Sequence, residues 1–178
     1  MRALRSSMPA LQLSSPGEFF RYQFVRQPDL TSDLIALGGA GDFSHVDILL
    51  DDGSLLGARS DSVGGKPPGV QIRPADYVKD WTHQVVIAVP CVPAQKAAAL
   101  DFAFKQLGKP YDKLAIAGFI VGRDWRSPDH WFCSELGARV GEAGGFFGEM
   151  YSPVNKIAPV TLSCVASAVP GRVITVIK

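Results

Sequence analysis

Three side chains in this sequence could together break an acyl bond: a thiol, an imidazole and a phenol. Cys133 lies in the stretch WFCSELGARV, Trp131 to Val140, where Asp129 or Ser127 can cap a helix and Leu136 and Val140 recur at helical spacing. Cys133 is thereby expected in the first helical turn, where the positive end of the helix dipole and unpaired backbone N–H groups favour a thiolate. A lone cysteine is more often inert packing, so the case for chemistry rests on its company. Nucleophilic cysteine catalysis needs a thiolate, a base to share its proton, and donors for the oxyanion. His45, in FSHVDILL, is a candidate base if its strand packs beside the helix start. His83, next to Trp81 but one, and His130, three residues ahead of Cys133, are rival bases. The N–H of Cys133 itself is a natural oxyanion donor. An isolated histidine is more often structural, and Tyr111, in the turn GKPYD, could equally be a packed aromatic.

These groups need elements to hold them. Phe43 to Leu50 has the strand character of β-branched and aromatic residues and ends at the turn Asp51-Asp52-Gly53. Alternation puts His45 and Asp47 on one face, with Phe43 and Leu49, and Val46, Ile48 and Leu50 on the other. Ser54–Arg59 reads as the return strand of a hairpin. The Gly-, Pro- and Ser-rich run from Ser60 to Gly69 is a surface loop. Short strands are expected at Leu34–Leu37, Val70–Arg73 and Gln84–Val89, with a helical turn from Pro74 to Trp81. Pro93 opens a helix whose apolar stripe would be Ala97, Leu100, Phe104 and Leu107, ended by Gly108. Residues 113–121 fit helix or strand, 149–170 loop and a short helix, and Arg172–Ile177 a closing strand. Residues 1–30 are expected to form an N-terminal arm or loop, ahead of one domain at 31–178. Within that arm Phe19, Phe20, Tyr22, Phe24 and Val25 cluster, as core or a covering strand, or else as a partner-binding arm.

The bulk properties exclude several classes. A chain of 178 residues with 47% hydrophobic and 20% charged residues suits one packed domain. A net charge of +1 offers no field for nucleic acid. Cys91, Cys133 and Cys164 are too few and scattered for a disulfide framework, and a reducing compartment is expected. Neither GxxxxGK[ST] nor GxGxxG occurs, and no cofactor is implied. Ligand spacing gives no support to a metal site built from His45, His83 or His130 with Asp or Cys133. No secretion signal and no membrane span are read, which points to a cytoplasmic or virion-associated protein.

The order of SHV on a strand, then GKPYD, then WFCSEL on a helix resembles the circularly permuted, YiiX/YebB-like branch of the NlpC-type papain-like cysteine hydrolases. The resemblance runs from about Ser32 to about Leu162 and includes DLIAL and IAPVTL. It implies an α+β, permuted papain-like fold, a small antiparallel sheet packed against helices that include the nucleophile helix. It also implies Cys133 as nucleophile, His45 as base, and Tyr111 near the thiol as an oxyanion donor. Relatives often carry an acidic residue on the strand after the histidine strand; here that place reads Leu56-Gly57-Ala58. Asp47, Ser60, Asp61 and Gln71 are the candidates for the missing orienting group. The expected activity is thiol-dependent cleavage of an amide bond, with a peptidoglycan stem peptide as the substrate the resemblance suggests. The alternatives are a phage tail-tip or baseplate component, active or degenerate, that assembles through residues 1–30, and a lipid-directed amidase or acyltransferase.

Overall fold

Side chains that alternate in direction along each strand generate a sheet with two different faces. The computed structural model describes residues 18–27, 42–77, 79–112, 129–148 and 157–178. Its strands are β1 (Glu18–Arg26), β2 (His45–Leu49), β3 (Leu55–Arg59), β4 (Gly69–Arg73), β5 (His83–Cys91) and β6 (Val173–Val176). They form one antiparallel sheet in the order β4-β3-β2-β1-β5-β6. Three helices accompany it among the described residues: α1 (Pro93–Phe104), α2 (Cys133–Ala143) and α3 (Pro159–Ala168). The class is α+β.

The core face carries Phe20, Tyr22 and Phe24 of β1, Val46 and Ile48 of β2, Leu56 and Ala58 of β3, and Ile87 and Val89 of β5. Leu136 and Val140 of α2 and Leu162 and Ala166 of α3 pack onto it. Tyr22 also donates its hydroxyl to the carbonyl of Gly137 at 3.1 Å, which fixes α2 against the sheet. The intervening strand positions place Gln23, His45, Asp47, Arg59 and Arg73 on the opposite face, and these polar side chains are buried too. A two-sided burial of this kind requires partners for each polar group.

The hairpin of β2 and β3 forms where FSHVDILL and Asp51-Asp52-Gly53 predict it, with Ile48 opposite Leu56. β4, β5 and β6 also lie where strands are expected. Two expectations are corrected and one holds only in part. Glu18–Arg26, inside the segment expected as an arm, is an internal strand paired along its length with β5 and through Arg21–Val25 with β2. Its aromatics Phe20, Tyr22 and Phe24 are core, the first of the two readings of that cluster, because both neighbours hold the strand in the sheet. Pro74 to Trp81, expected as a helical turn, makes one turn closed by the Tyr77 N–H on the Pro74 carbonyl at 3.2 Å, and is extended in its described residues beyond it. In α1 the buried positions are Ala99 and Ala103, while Phe104 and Leu107 are exposed. α1 packs against α2, and alanine faces let two helices approach closely where larger side chains would hold them apart. Leu34–Leu37 and 113–121 lie outside the described residues.

Candidate active site

Cys133 is the first residue of α2, as its sequence context predicts, but the cap is different. The N-cap position is Phe132, in extended conformation, and no side chain caps the helix. The expected cap Asp129 is not used, and Ser127 lies outside the described residues. The first-turn N–H groups are therefore not occupied by an N-cap side chain, the geometry in which a helix start can receive negative charge. α2 is fixed at this end by Ser134, whose buried hydroxyl donates to the carbonyl of Ile157 at 2.5 Å.

His45 opens β2, and Ser44 just ahead of it is tied to β1 through a backbone bond from its N–H to the Val25 carbonyl at 3.0 Å. The imidazole is 7% exposed, Asp47 2%, Cys133 2% and Tyr111 7%, so the group is withdrawn from bulk water. His45 Nε2 lies 3.0 Å from Asp47 Oδ1. The contact is an ion pair that falls short of hydrogen-bond geometry. Burial on its own would lower the proton affinity of the imidazole. The charge of Asp47 and polar contact with Cys133 outweigh it and raise the His45 pKa to about 9. Asp47 responds in the opposite sense. Burial would raise its carboxyl, but His45, a hydrogen bond from Tyr77 and the charge of Arg59 hold it below the usual carboxylate range. At neutral pH the pair is therefore an imidazolium against a carboxylate.

Tyr111 reaches the same place through backbone pairing of three separate segments. Val70 N–H donates to the Lys109 carbonyl and Gly108 N–H to the Val70 carbonyl, both at 2.9 Å, which ties the GKPYD turn to β4. Gly69 is required there: its φ is +108°, and a Cβ would overlap the Lys109 carbonyl oxygen. Trp131 N–H then donates to Pro110 at 3.0 Å and Asp112 N–H to Trp131 at 3.1 Å, which sets Tyr111 beside the residue two ahead of the thiol. Burial, and then the negative charge of a Cys133 thiolate, push the Tyr111 phenol well above its ordinary range. It stays a neutral hydroxyl able to donate.

His83 lies exposed at the start of β5. His130 is half-buried, with Nδ1 unpartnered among the described residues. Of the four candidates for an orienting group, Asp47 is the one in ionic contact with His45. Asp61 pairs instead with Arg59, at 2.7 Å, and is half exposed. Gln71 stands opposite Gly57 on β4, and Ser60 is half-buried at the start of its loop. Sequence reading passed over Tyr77 and Arg59, which surround Asp47; Tyr77 fell in a segment expected to be a helical turn, and no motif marked either.

No family model and no curated protein matches this chain. Among solved structures, one described as metalloprotein yiiX from Escherichia coli O157:H7 aligns with a TM-score of 0.59 at 20% identity, over 89% of this chain and 96% of that one. The fold is therefore YiiX-like. The word metalloprotein is that protein's; among the described residues here, no set of three or more His, Cys, Asp and Glu side chains could hold a metal ion.

Proposed function

We propose that this chain is a thiol-dependent hydrolase of amide bonds built on a permuted papain-like, NlpC-type version of its fold. The observation that supports this most is a buried imidazole between a carboxylate and a thiol, with that thiol at an uncapped helix start. In this scheme the Cys133 proton resides on His45, and Asp47 holds the resulting imidazolium in place. The thiolate attacks the substrate carbonyl carbon. The oxyanion is held by the Tyr111 hydroxyl and the Cys133 N–H. The imidazolium gives its proton to the leaving nitrogen as the C–N bond breaks, leaving a thioester. His45 then takes a proton from water, which attacks the thioester and releases the acid, and the thiol is restored. A peptidoglycan stem peptide is the substrate class the sequence resemblance suggests.

The test needs no substrate. Each cysteine is followed by mass spectrometry during reaction with iodoacetamide at pH 6, in wild type and in His45→Ala. Cys133 is expected to outpace Cys91 and the exposed Cys164, and His45→Ala to remove roughly a tenfold or larger advantage. A Cys133 no faster than the others, or equally fast without His45, would end the hydrolase reading.

A further inference from the structure

The Asp47 carboxylate is held by groups that take no part in the scheme above. Tyr77, in the connection between β4 and β5, donates its hydroxyl to Oδ2 at 2.7 Å. That hydroxyl in turn accepts from Arg59 Nη1 at 3.3 Å, and the Arg59 guanidinium lies 5.3 Å from the centre of the Tyr77 ring. Arg59 is itself fixed by Asp61 and by Gln27, to whose Oε1 it donates at 2.8 Å. Arg73 stands 5.9 Å from the same ring and donates to the carbonyls of Gly57 and Pro67 at 3.2 and 3.1 Å. Trp81 meets the ring edge-on at 5.7 Å. The phenol is thus boxed on several sides.

On the side facing β3 the carboxylate fills space that the glycine at 57 leaves free. A Cβ at Gly57 would overlap Asp47 Oδ1, so the carboxylate occupies the space where a side chain at 57 would begin. The terminal torsion of an aspartate is broad and nearly two-fold, so a carboxylate held only by its backbone samples many rotations. Pinning one oxygen removes that freedom and leaves the other oxygen toward the imidazole. The charged or titratable groups around Asp47 are His45 on its own strand, Arg59 from β3, Arg73 from β4 and Tyr77 from the following connection, with Asp61 behind Arg59. From β1 it is opposed by the neutral Gln23.

We infer that Tyr77 is a positioning residue of this site: with the space left by Gly57, its hydroxyl sets the rotation of the Asp47 carboxylate so that Oδ1 stays against the His45 ring. The inference rests on reading Cys133 and His45 as a working pair. Tyr77 touches no reacting atom; it acts through Asp47.

The test follows the imidazole directly, by NMR titration of the three histidines in labelled full-length protein, alongside alkylation of Cys133. Tyr77→Phe removes one oxygen and keeps the ring against Arg59, Arg73 and Trp81. Gly57→Ala disturbs the same carboxylate from the opposite side. In both, a cooperative melt is checked first. Each variant is expected to lower the His45 titration midpoint by about one pH unit and to slow Cys133 alkylation at pH 7 about fivefold, while His83 and His130 titrate as before. A His45 midpoint unchanged in folded Tyr77→Phe would overturn the inference. Failure of the enzymatic reading has a different signature: wild-type alkylation of Cys133 that ignores His45→Ala, whatever the histidine titration shows.

Discussion

His45 makes the fold itself sensitive to pH. In the unfolded chain its imidazole titrates near 6.5; in the folded protein it holds its proton to about 9. Below pH 6.5 both states are protonated and the stabilisation is fully present. Between 6.5 and 9 only the folded state keeps the imidazole proton, so the contribution of His45 itself falls as pH rises and is gone above 9; a proton drawn from the Cys133 thiol, which the unfolded chain also holds up to about 8.5, offsets that fall. At about 1.4 kcal/mol per pH unit, the imidazole's own loss across that window is at most roughly 3–4 kcal/mol. Urea denaturation at pH 6, 7.5 and 9 is expected to show this decline in wild type and to flatten in His45→Gln. An equal slope in both would mean that other groups carry the pH dependence. The residue types of this site were legible in the sequence because helix-start cysteine, strand histidine and turn tyrosine each have local signatures. Which carboxylate meets the imidazole was not. Alternation alone made Asp47 a candidate equal to Ser60, Asp61 and Gln71, since the feature that separates them, the missing Cβ at Gly57, acts only once β2 and β3 are paired.

That pairing also means that a carboxylate could reach the imidazole from either of two adjacent strands. The backbone of Gly57 points its absent side chain at the space Asp47 fills. Asp47→Ala is expected to slow His45-dependent alkylation of Cys133 about tenfold. Adding Gly57→Glu, which sends a carboxylate from β3 toward the same space, is expected to recover several-fold of that loss. A double variant no faster than the single one would mean that the acid works only from β2. The strands concerned were readable because their period is two and their turn is explicit. α1 was less so. Of the expected stripe Ala97, Leu100, Phe104 and Leu107, Leu100 packs against the core, but Phe104 and Leu107 are exposed and the buried positions are Ala99 and Ala103. Size is a poor guide to facing when two helices come close.

The least legible feature was the order of the sheet, because it is set by contacts between distant parts of the chain. Nothing local distinguishes an internal strand rich in Phe and Tyr from a sticky arm, and β1 is internal. Removing residues 1–30 is therefore expected to abolish the cooperative thermal transition seen by circular dichroism. Losing Phe20, Tyr22 and Phe24, at about 3–5 kcal/mol for each buried aromatic, rivals the whole stability of about 5–15 kcal/mol of an ordinary domain. A truncated chain that melts as sharply as the full one would refute that placement of β1. The same order of elements has a meaning in time. His45, Asp47, Gly57 and Tyr77 all precede Cys133 by more than fifty residues, and a ribosome makes the chain from that end. Any product of interrupted translation that stops short of residue 133 carries the imidazole and the groups around it but lacks the thiol. The pair proposed to react comes into being only when most of the chain has been synthesised.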